Sequence, residues 1–292
     1  MVGKNQAESR VSGGHPPSTG PAQIVAVVNQ KGGVGKTTTA INLASTLALE
    51  GRRVLLLDLD PQGNASSGLG IRVDSGEQSI YSALIGLKDL DEIVVATGVE
   101  NLVLGPSNLD LAGAELEMVS MLNRERQLDR ALSSLDESFD IILIDCAPSL
   151  GLLTINALVA ARHLLIPVQC EYYALEGLSR LMESIERVRS NFNELEILGV
   201  LLTMFDTRTK LSADVAAQIR TYFGDKVFRT VIPRSIRLSE APSYGEPIEL
   251  YDRMSAGAVA YRFLAQEFLQ RCLPARLGTA NSTTLLSGAN QP

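Results

Sequence analysis

The sequence predicts an α/β fold, a single domain with a mostly parallel, twisted β-sheet flanked by helices. Three observations point there. Short, continuously apolar runs alternate with longer amphipathic stretches, the pattern of a parallel sheet covered on both faces. A glycine-rich loop joins the first apolar run to the first amphipathic stretch. Two later runs end in aspartate, at the strand ends where open α/β sheets bind ligands. The chain has 292 residues, 45% of them hydrophobic, enough to bury a substantial core.

Taken in order, residues 1–22 are rich in Gly, Ser and Pro, lack apolar periodicity and read as a disordered tail. Residues 274–292 read as a flexible C-terminal tail, which leaves 23–273 as the folded domain. Strands are expected where apolar runs are short and bounded: Ile24–Asn29, Val54–Leu59, Leu102–Leu104, Ile141–Asp145, Leu164–Val168 and Leu198–Met204. Helices are expected over Lys36–Glu50, Arg124–Leu135, Ala174–Asn191 and Ser212–Phe223. A last helical stripe, Val259, Phe263, Leu264, Glu267, Phe268, Cys272 and Leu273, reads as a helix packed on the core. No interior linker or internal repeat divides the domain.

Composition removes several function classes. Lys+Arg number 26 against Asp+Glu 33, and a net charge of −7 excludes a wholesale basic coat on nucleic acid. Cys146, Cys170 and Cys272 cannot all pair with one another and lack zinc-module spacing. Only His15 and His163 could serve a histidine-based site. No apolar run approaches the ~18 residues of a membrane span, and the polar N-terminus has no secretory core. A reducing cytoplasm is the expected location.

The densest chemistry lies in Asn29-Gln30-Lys31-Gly32-Gly33-Val34-Gly35-Lys36-Thr37-Thr38. It follows a strand and opens a helix, the setting a phosphate-binding loop requires. Glycines let backbone N–H groups curve around phosphate oxygens, and the helix N-terminus adds unpaired donors. Lys36 is placed to contact β- and γ-phosphates, and the Thr37 hydroxyl to ligate Mg²⁺. The loop departs from the ordinary G-x-x-x-x-G-K-[ST] pattern: Gln30 stands where the first glycine belongs, and Lys31 adds a second lysine.

Val54–Leu59 runs into Asp58 and Asp60, and Ile141–Ile144 into Asp145. Both strands deliver carboxylate to the edge that carries the phosphate loop. Asp145 is the Mg²⁺ candidate. Asp60 is the candidate to position the attacking water and, with Thr37 and Asp145, a candidate Mg²⁺ ligand, and Asp58 supports it.

These blocks resemble the deviant Walker A ATPases, and specifically the ParA/Soj chromosome-partitioning family. The resemblance covers about Ile24 to Leu273. It rests on residues 31–39, on Asp58-Leu59-Asp60-Pro61-Gln62-Gly63-Asn64-Ala65, on Asp145-Cys146-Ala147-Pro148-Ser149-Leu150-Gly151, on 167–177 and on 237–245. It implies an ATP- and Mg²⁺-dependent homodimer in which Lys31 of one subunit reaches the phosphates bound by the other. It implies non-specific binding to double-stranded DNA, release by hydrolysis that a ParB-type centromere-binding partner stimulates, and association with the nucleoid. Arg208 and Arg237 match family DNA contacts, with Arg234 beside them. Met204, and Pro233 with Arg234, match segments that flank the adenine. From Met204 to Arg237 the chain carries a net +4, inside a protein of −7.

The same core also serves MinD-like membrane-cycling ATPases, which need a basic amphipathic C-terminal helix. Residues 274–292 contain one basic residue, Arg276, and no membrane contact is expected. No matched cysteine pair marks an iron-protein-like reductase. No acceptor-binding segment marks a metabolic kinase. The segment before the first strand is too short for a helix-turn-helix module.

Overall fold

Alternate residues of each central strand enter different cores. Leu55 and Leu57 pack in one apolar cluster with Ile142, Ile144, Leu164 and Ile166. Val54 and Leu56 pack in another with Val25, Val27, Ile141 and Leu143. A side-chain period of two buried on both faces leaves a strand no polar side, which is why these runs are apolar throughout. The computed structural model describes residues 21–272 except 134, 136, 137, 172 and 173. The expected tails, apart from 21 and 22, and Leu273 lie outside the described residues.

Eight strands form one sheet: β1 (Gln23–Val27), β2 (Val54–Leu59), β3 (Val95–Ala96), β4 (Leu102–Gly105), β5 (Ile141–Cys146), β6 (His163–Gln169), β7 (Glu196–Phe205) and β8 (Val227–Pro233). Their order is β3-β4-β2-β5-β1-β6-β7-β8. All neighbours run parallel except β3 with β4. Register places Asp58 opposite Asp145 on β2 and β5.

Among the described residues six helices reach eight residues: α1 (Lys36–Leu49), α2 (Leu111–Met118), α3 (Leu152–Ala160), α4 (Ala174–Asn191), α5 (Lys210–Phe223) and α6 (Ala256–Cys272). Leu111, Leu153, Leu181 and Ile219 bring α2, α3, α4 and α5 onto the first cluster. Leu43, Leu47, Tyr261, Leu264 and Phe268 bring α1 and α6 onto the second. Each such fully buried side chain contributes about 1.5–3 kcal/mol. No helix among the described residues is long and apolar enough to cross a membrane.

The structure departs from the sequence reading at several elements. Arg124–Leu135 is a 3₁₀ turn, Arg124–Arg126, followed by a short helix, Gln127–Leu132. In the stripe of α6, Leu264, Phe268 and Cys272 are buried, whereas Val259 and Phe263 are exposed. β8 went unread because Arg229 and Thr230 interrupt its apolar run. It is the sheet's edge, and the amides of these two residues donate at 2.9 and 3.1 Å to the Glu267 carboxylate of α6. Glu267 thereby fills backbone sites that a ninth strand would otherwise take.

The same edge supplies a stability test. Arg271 lies over the Phe228 ring at 4.1 Å and donates to the carbonyls of Leu198, Lys226 and Val227. A Cβ on Gly199 would overlap that ring and fall 2.8 Å from Arg271 Nη1. Gly199→Ala is expected to cost about 1–3 kcal/mol by overpacking, read as a lowered Tm. An unchanged Tm would mean that Phe228 and Arg271 yield without loss.

Candidate functional site

Between β1 and α1 the chain turns through Gly33 at φ 72° and Gly35 at φ 85°, a left-handed backbone that side chains disfavour. Gly35 is also the N-cap of α1, and no side chain caps that helix. Its first amides therefore face the loop as unspent donors. Two contacts hold the loop from outside. Thr203 on β7 donates to the Val34 carbonyl at 2.8 Å. Asn29 donates to the Pro167 carbonyl at 2.7 Å and accepts from the Lys31 amide at 3.0 Å.

The loop walls a cavity of about 410 Å³, lined by Gly32, Gly33, Gly35, Lys36, Thr37 and Thr38 and by Asp60, Asn64, Pro148 and Met204 from other segments. Lys36 is buried, and its Nζ donates to the Lys31 carbonyl at 3.1 Å. Burial pushes its ammonium below the ordinary lysine range, against the pull of Asp145 and Asp60. Val34 sits beneath the loop, 1% exposed.

The three carboxylates differ in what they do. Asp58 is buried and its Oδ2 accepts from the Ser66 amide at 2.8 Å and hydroxyl at 2.7 Å. Its Oδ1 accepts from the Asp60 amide at 3.3 Å, and burial raises its pKa to about 6. Asp60 lines the cavity, with Oδ1 accepting from the Gln62 amide at 3.0 Å. Asp145 is wholly buried, and neither oxygen has a well-formed hydrogen bond. Burial, then the charge of Asp58, pushes its pKa well up, against the pull of the Thr37 hydroxyl and Lys36. A buried carboxylate so poorly partnered is costly unless a ligand satisfies it. A magnesium ion fits this donor set, since Mg²⁺ takes one or two protein oxygens and completes its shell with phosphate and water.

Met204 ends the cavity at the close of β7 with φ 49°, a strained backbone for a residue with a side chain. Beyond it a second cavity of about 230 Å³ is lined by Thr38, Met204, Pro233, Arg234, Leu238 and Tyr261. The fold therefore brings Met204, Pro233 and Arg234 together and joins them to the loop through Gly35 and Thr38, which line both cavities. Lys31 lines neither. Its Nζ lies 3.4 Å from Glu171 Oε2.

The arginines read as DNA contacts sit on the same side of the sheet order, at and beyond β7 and β8. Arg208 is exposed and grips Asp206 at 2.7 and 2.9 Å, which holds that carboxyl down at about 2. Arg237 is exposed and pairs with Glu240 at 3.1 Å and Asp252 at 3.4 Å. Arg208 and Arg234 line a groove of about 930 Å³ with Arg229, Val259 and Phe263, and Arg237 lies off its lining. Ser66, Ser107, Thr203 and Glu171 are site residues that sequence reasoning assigned no role. Ser107 donates through its hydroxyl to the Asp60 carbonyl at 2.7 Å and through its amide to Ser66 Oγ at 3.0 Å. Of the four, Glu171 alone lies within a family-like motif, residues 167–177, a signal that could have found it. The three cysteines are buried free thiols.

A first parallel strand feeding a glycine loop and a helix N-terminus, with carboxylates at the ends of β5 beside it and of β2 one strand further, defines a P-loop nucleotide-binding protein. A family model described as an AAA domain matches residues 22–197. The chain is 56% identical over 246 residues to the sporulation initiation inhibitor protein Soj of Bacillus subtilis, covering 84% of this chain and 97% of that protein. It is 51% identical to the chromosome-partitioning ATPase Soj of Treponema pallidum, covering 84% and 96%. Among solved structures, a protein described as cobyrinic acid a,c-diamide synthase from Mycobacterium smegmatis, with bound ADP and magnesium, aligns at TM-score 0.76 and 39% identity, covering 85% of this chain and 94% of that one. The chain belongs to the Soj/ParA family of chromosome-partitioning ATPases.

Proposed function

We propose that this protein is an ATP-driven switch for partitioning a chromosome or plasmid. Two ATP-bound subunits pair across their nucleotides, the pair binds double-stranded DNA without sequence preference, and hydrolysis stimulated by a ParB-type partner releases it. The observation that carries this reading is the division of labour between the loop's two lysines. Lys36 is turned inward and buried at its own cavity, while Lys31 projects outside it. One lysine serves the subunit's own phosphates, and the other, outside that cavity, serves a partner's.

The chemistry follows from the residues. Backbone amides of 32–38 and the Lys36 ammonium cradle the phosphates of ATP. Thr37 and Asp145 would hold Mg²⁺, with Asp60 a further candidate oxygen ligand beside them. When bound, Mg²⁺ would neutralise the negative charge that develops on the phosphate oxygens. Asp60 orients the water that attacks the γ-phosphorus, and Asp58 fixes Asp60 through its backbone amide. Met204, Pro233 and Arg234 flank the adenine. Lys31 adds positive charge from the partner subunit, as an arginine finger does in other NTPases. Among the described residues Lys36 is the sole cation lining the loop cavity within a subunit, so the basal rate is expected below the ~1–100 s⁻¹ of kinases.

The test is binding to a random-sequence duplex at low salt with ATP, ADP or no nucleotide. Binding only with ATP, weakened by salt, is the expected result. Arg208→Glu with Arg237→Glu is expected to lower affinity and to reduce the salt slope by about 0.9 for each phosphate no longer neutralised. Unchanged affinity would place the DNA surface elsewhere. Absence of DNA binding in every state, with ATP still bound, would refute the DNA step, and anionic liposomes in the same assay would report a MinD-like alternative.

A further inference from the structure

Lys31, from the phosphate loop, and Arg234, just beyond the end of β8, share one carboxylate. Glu171 Oε2 lies 3.4 Å from Lys31 Nζ, and Oε1 lies 3.9 Å from Arg234 Nη2. The Gln169 side-chain amide also donates to Oε1. Glu171 stands just beyond β6, next to β1 in the sheet, and its backbone amide turns back onto the Gln169 carbonyl at 2.8 Å. The Lys31 backbone is meanwhile anchored by Asn29. Its ammonium, 38% exposed as a side chain, remains able to change partners, and Glu171 is 46% exposed.

We propose that Glu171 is a positioning residue that holds Lys31 on its own subunit, so that dimerisation must break this pair before Lys31 can reach a partner's phosphates. The inference rests on the reading that Lys31 acts in trans. The competition is one carboxylate against a triphosphate of higher charge, so a fully liganded partner wins, and a chance encounter without two ATP molecules does not. Half-exposed pairs are weak and screened by salt. Each is worth roughly a two- to fivefold change in an equilibrium, and two break per dimer, giving a combined effect on the order of tenfold. A hold of that size biases the switch without locking it.

The experiment uses the full chain without DNA, in the Asp60→Ala background so that ATP persists. Dimerisation with ATP is measured by sedimentation. Lys31 accessibility is measured in the ADP state by an amine-reactive label quantified on the Lys31 peptide. ATP binding is measured in parallel to show that each variant is folded. Glu171→Gln, which keeps shape and removes charge, is expected to raise Lys31 labelling several-fold and to lower the dimer Kd about tenfold. The difference from the parent should shrink as salt rises. Glu171→Asp, which keeps the charge on a shorter stem, is expected to fall between the two and serves as the measurement if the glutamine variant does not fold. An unchanged or weaker dimer in Glu171→Gln overturns the proposal, as does a tighter dimer with Lys31 labelling unmoved. If the Asp60→Ala parent stays monomeric with ATP while Glu171→Gln still raises labelling, the pair exists but the trans reading fails, and the proposal falls with it.

Discussion

Lys36→Ala is expected to abolish tight nucleotide binding, with the Kd for ATP rising by about 30- to 5,000-fold. Lys36 is buried, and no carboxylate pairs with it among the described residues; its Nζ is satisfied by a backbone carbonyl. Such an ammonium stays charged at some cost, because burial already lowers its pKa. A bound triphosphate reverses that cost. Truncating one partner of a buried charge pair costs about 2–5 kcal/mol, which is the basis of the fold-change. The sign in the nucleotide-free protein is opposite. A lysine whose folded pKa lies below its unfolded value binds fewer protons when folded, so it destabilises at neutral pH, and that penalty fades as pH rises toward 10.5. Lys36→Met keeps the apolar stem and is therefore expected to melt no lower than the parent without nucleotide. It should gain nothing from Mg-ATP, which stabilises the parent by mass action. Calorimetry and thermal shifts with and without Mg-ATP check both halves. Tight ATP binding by Lys36→Ala would undercut the role given to the loop.

How far the fold was legible depended on what each segment buries. Val54–Leu59 is the observed β2 to the residue, because both of its faces enter apolar clusters and turn residues bound it. α3 was not read, since Leu-Leu-Thr-Ile-Asn-Ala-Leu-Val-Ala has no charged face to reveal a period of 3.6. β8 hid behind Arg229 and Thr230, whose amides are bonded by a side chain 37 and 38 positions away. Val259 and Phe263 share the helical period of the buried stripe yet line an open groove, because periodicity gives a face and not what covers it.

The candidate site divides in the same way. Lys36, Thr37 and the three aspartates lie within local motifs, so their chemistry and spacing are visible in the chain. Ser66, Ser107 and Thr203 are ordinary hydroxyls in sequence, and only the sheet brings them to Asp58, Asp60 and the loop. The grouping of Met204 with Pro233 and Arg234 depends on β7 and β8 being neighbours, a pairing that no local pattern announces.

Asp60→Ala is expected to retain ATP and lose hydrolysis by about 10²–10⁴-fold, the usual range for removing a group that handles the proton of the attacking nucleophile. Burial and bonding separate the three aspartates into roles. Asp58 is spent: both oxygens accept hydrogen bonds from Ser66 or the Asp60 amide, and it does not line the cavity. Asp145 is wholly enclosed and its two oxygens lack well-formed hydrogen bonds, which suits a cation better than a mobile water. Asp60 alone of the three lines the cavity, with Oδ1 steadied by the Gln62 amide. Its charge also raises, as the smallest of several causes, the pKa of Asp58 and Asp145, so its removal eases ionisation of the metal-side carboxylate, in line with retained nucleotide affinity. With hydrolysis blocked and the ATP state intact, the variant should remain as a DNA-bound dimer that the parent occupies only until turnover. Asp60→Asn, which keeps the shape and can still accept from Gln62, separates the carboxylate's chemistry from its packing and should be as slow as the alanine variant. Single-turnover hydrolysis, ATP affinity and DNA retention measured on the same preparations decide it. Normal hydrolysis in Asp60→Ala would remove this residue from the mechanism, and a lost ATP affinity would make it a ligand of the metal rather than the orienting base.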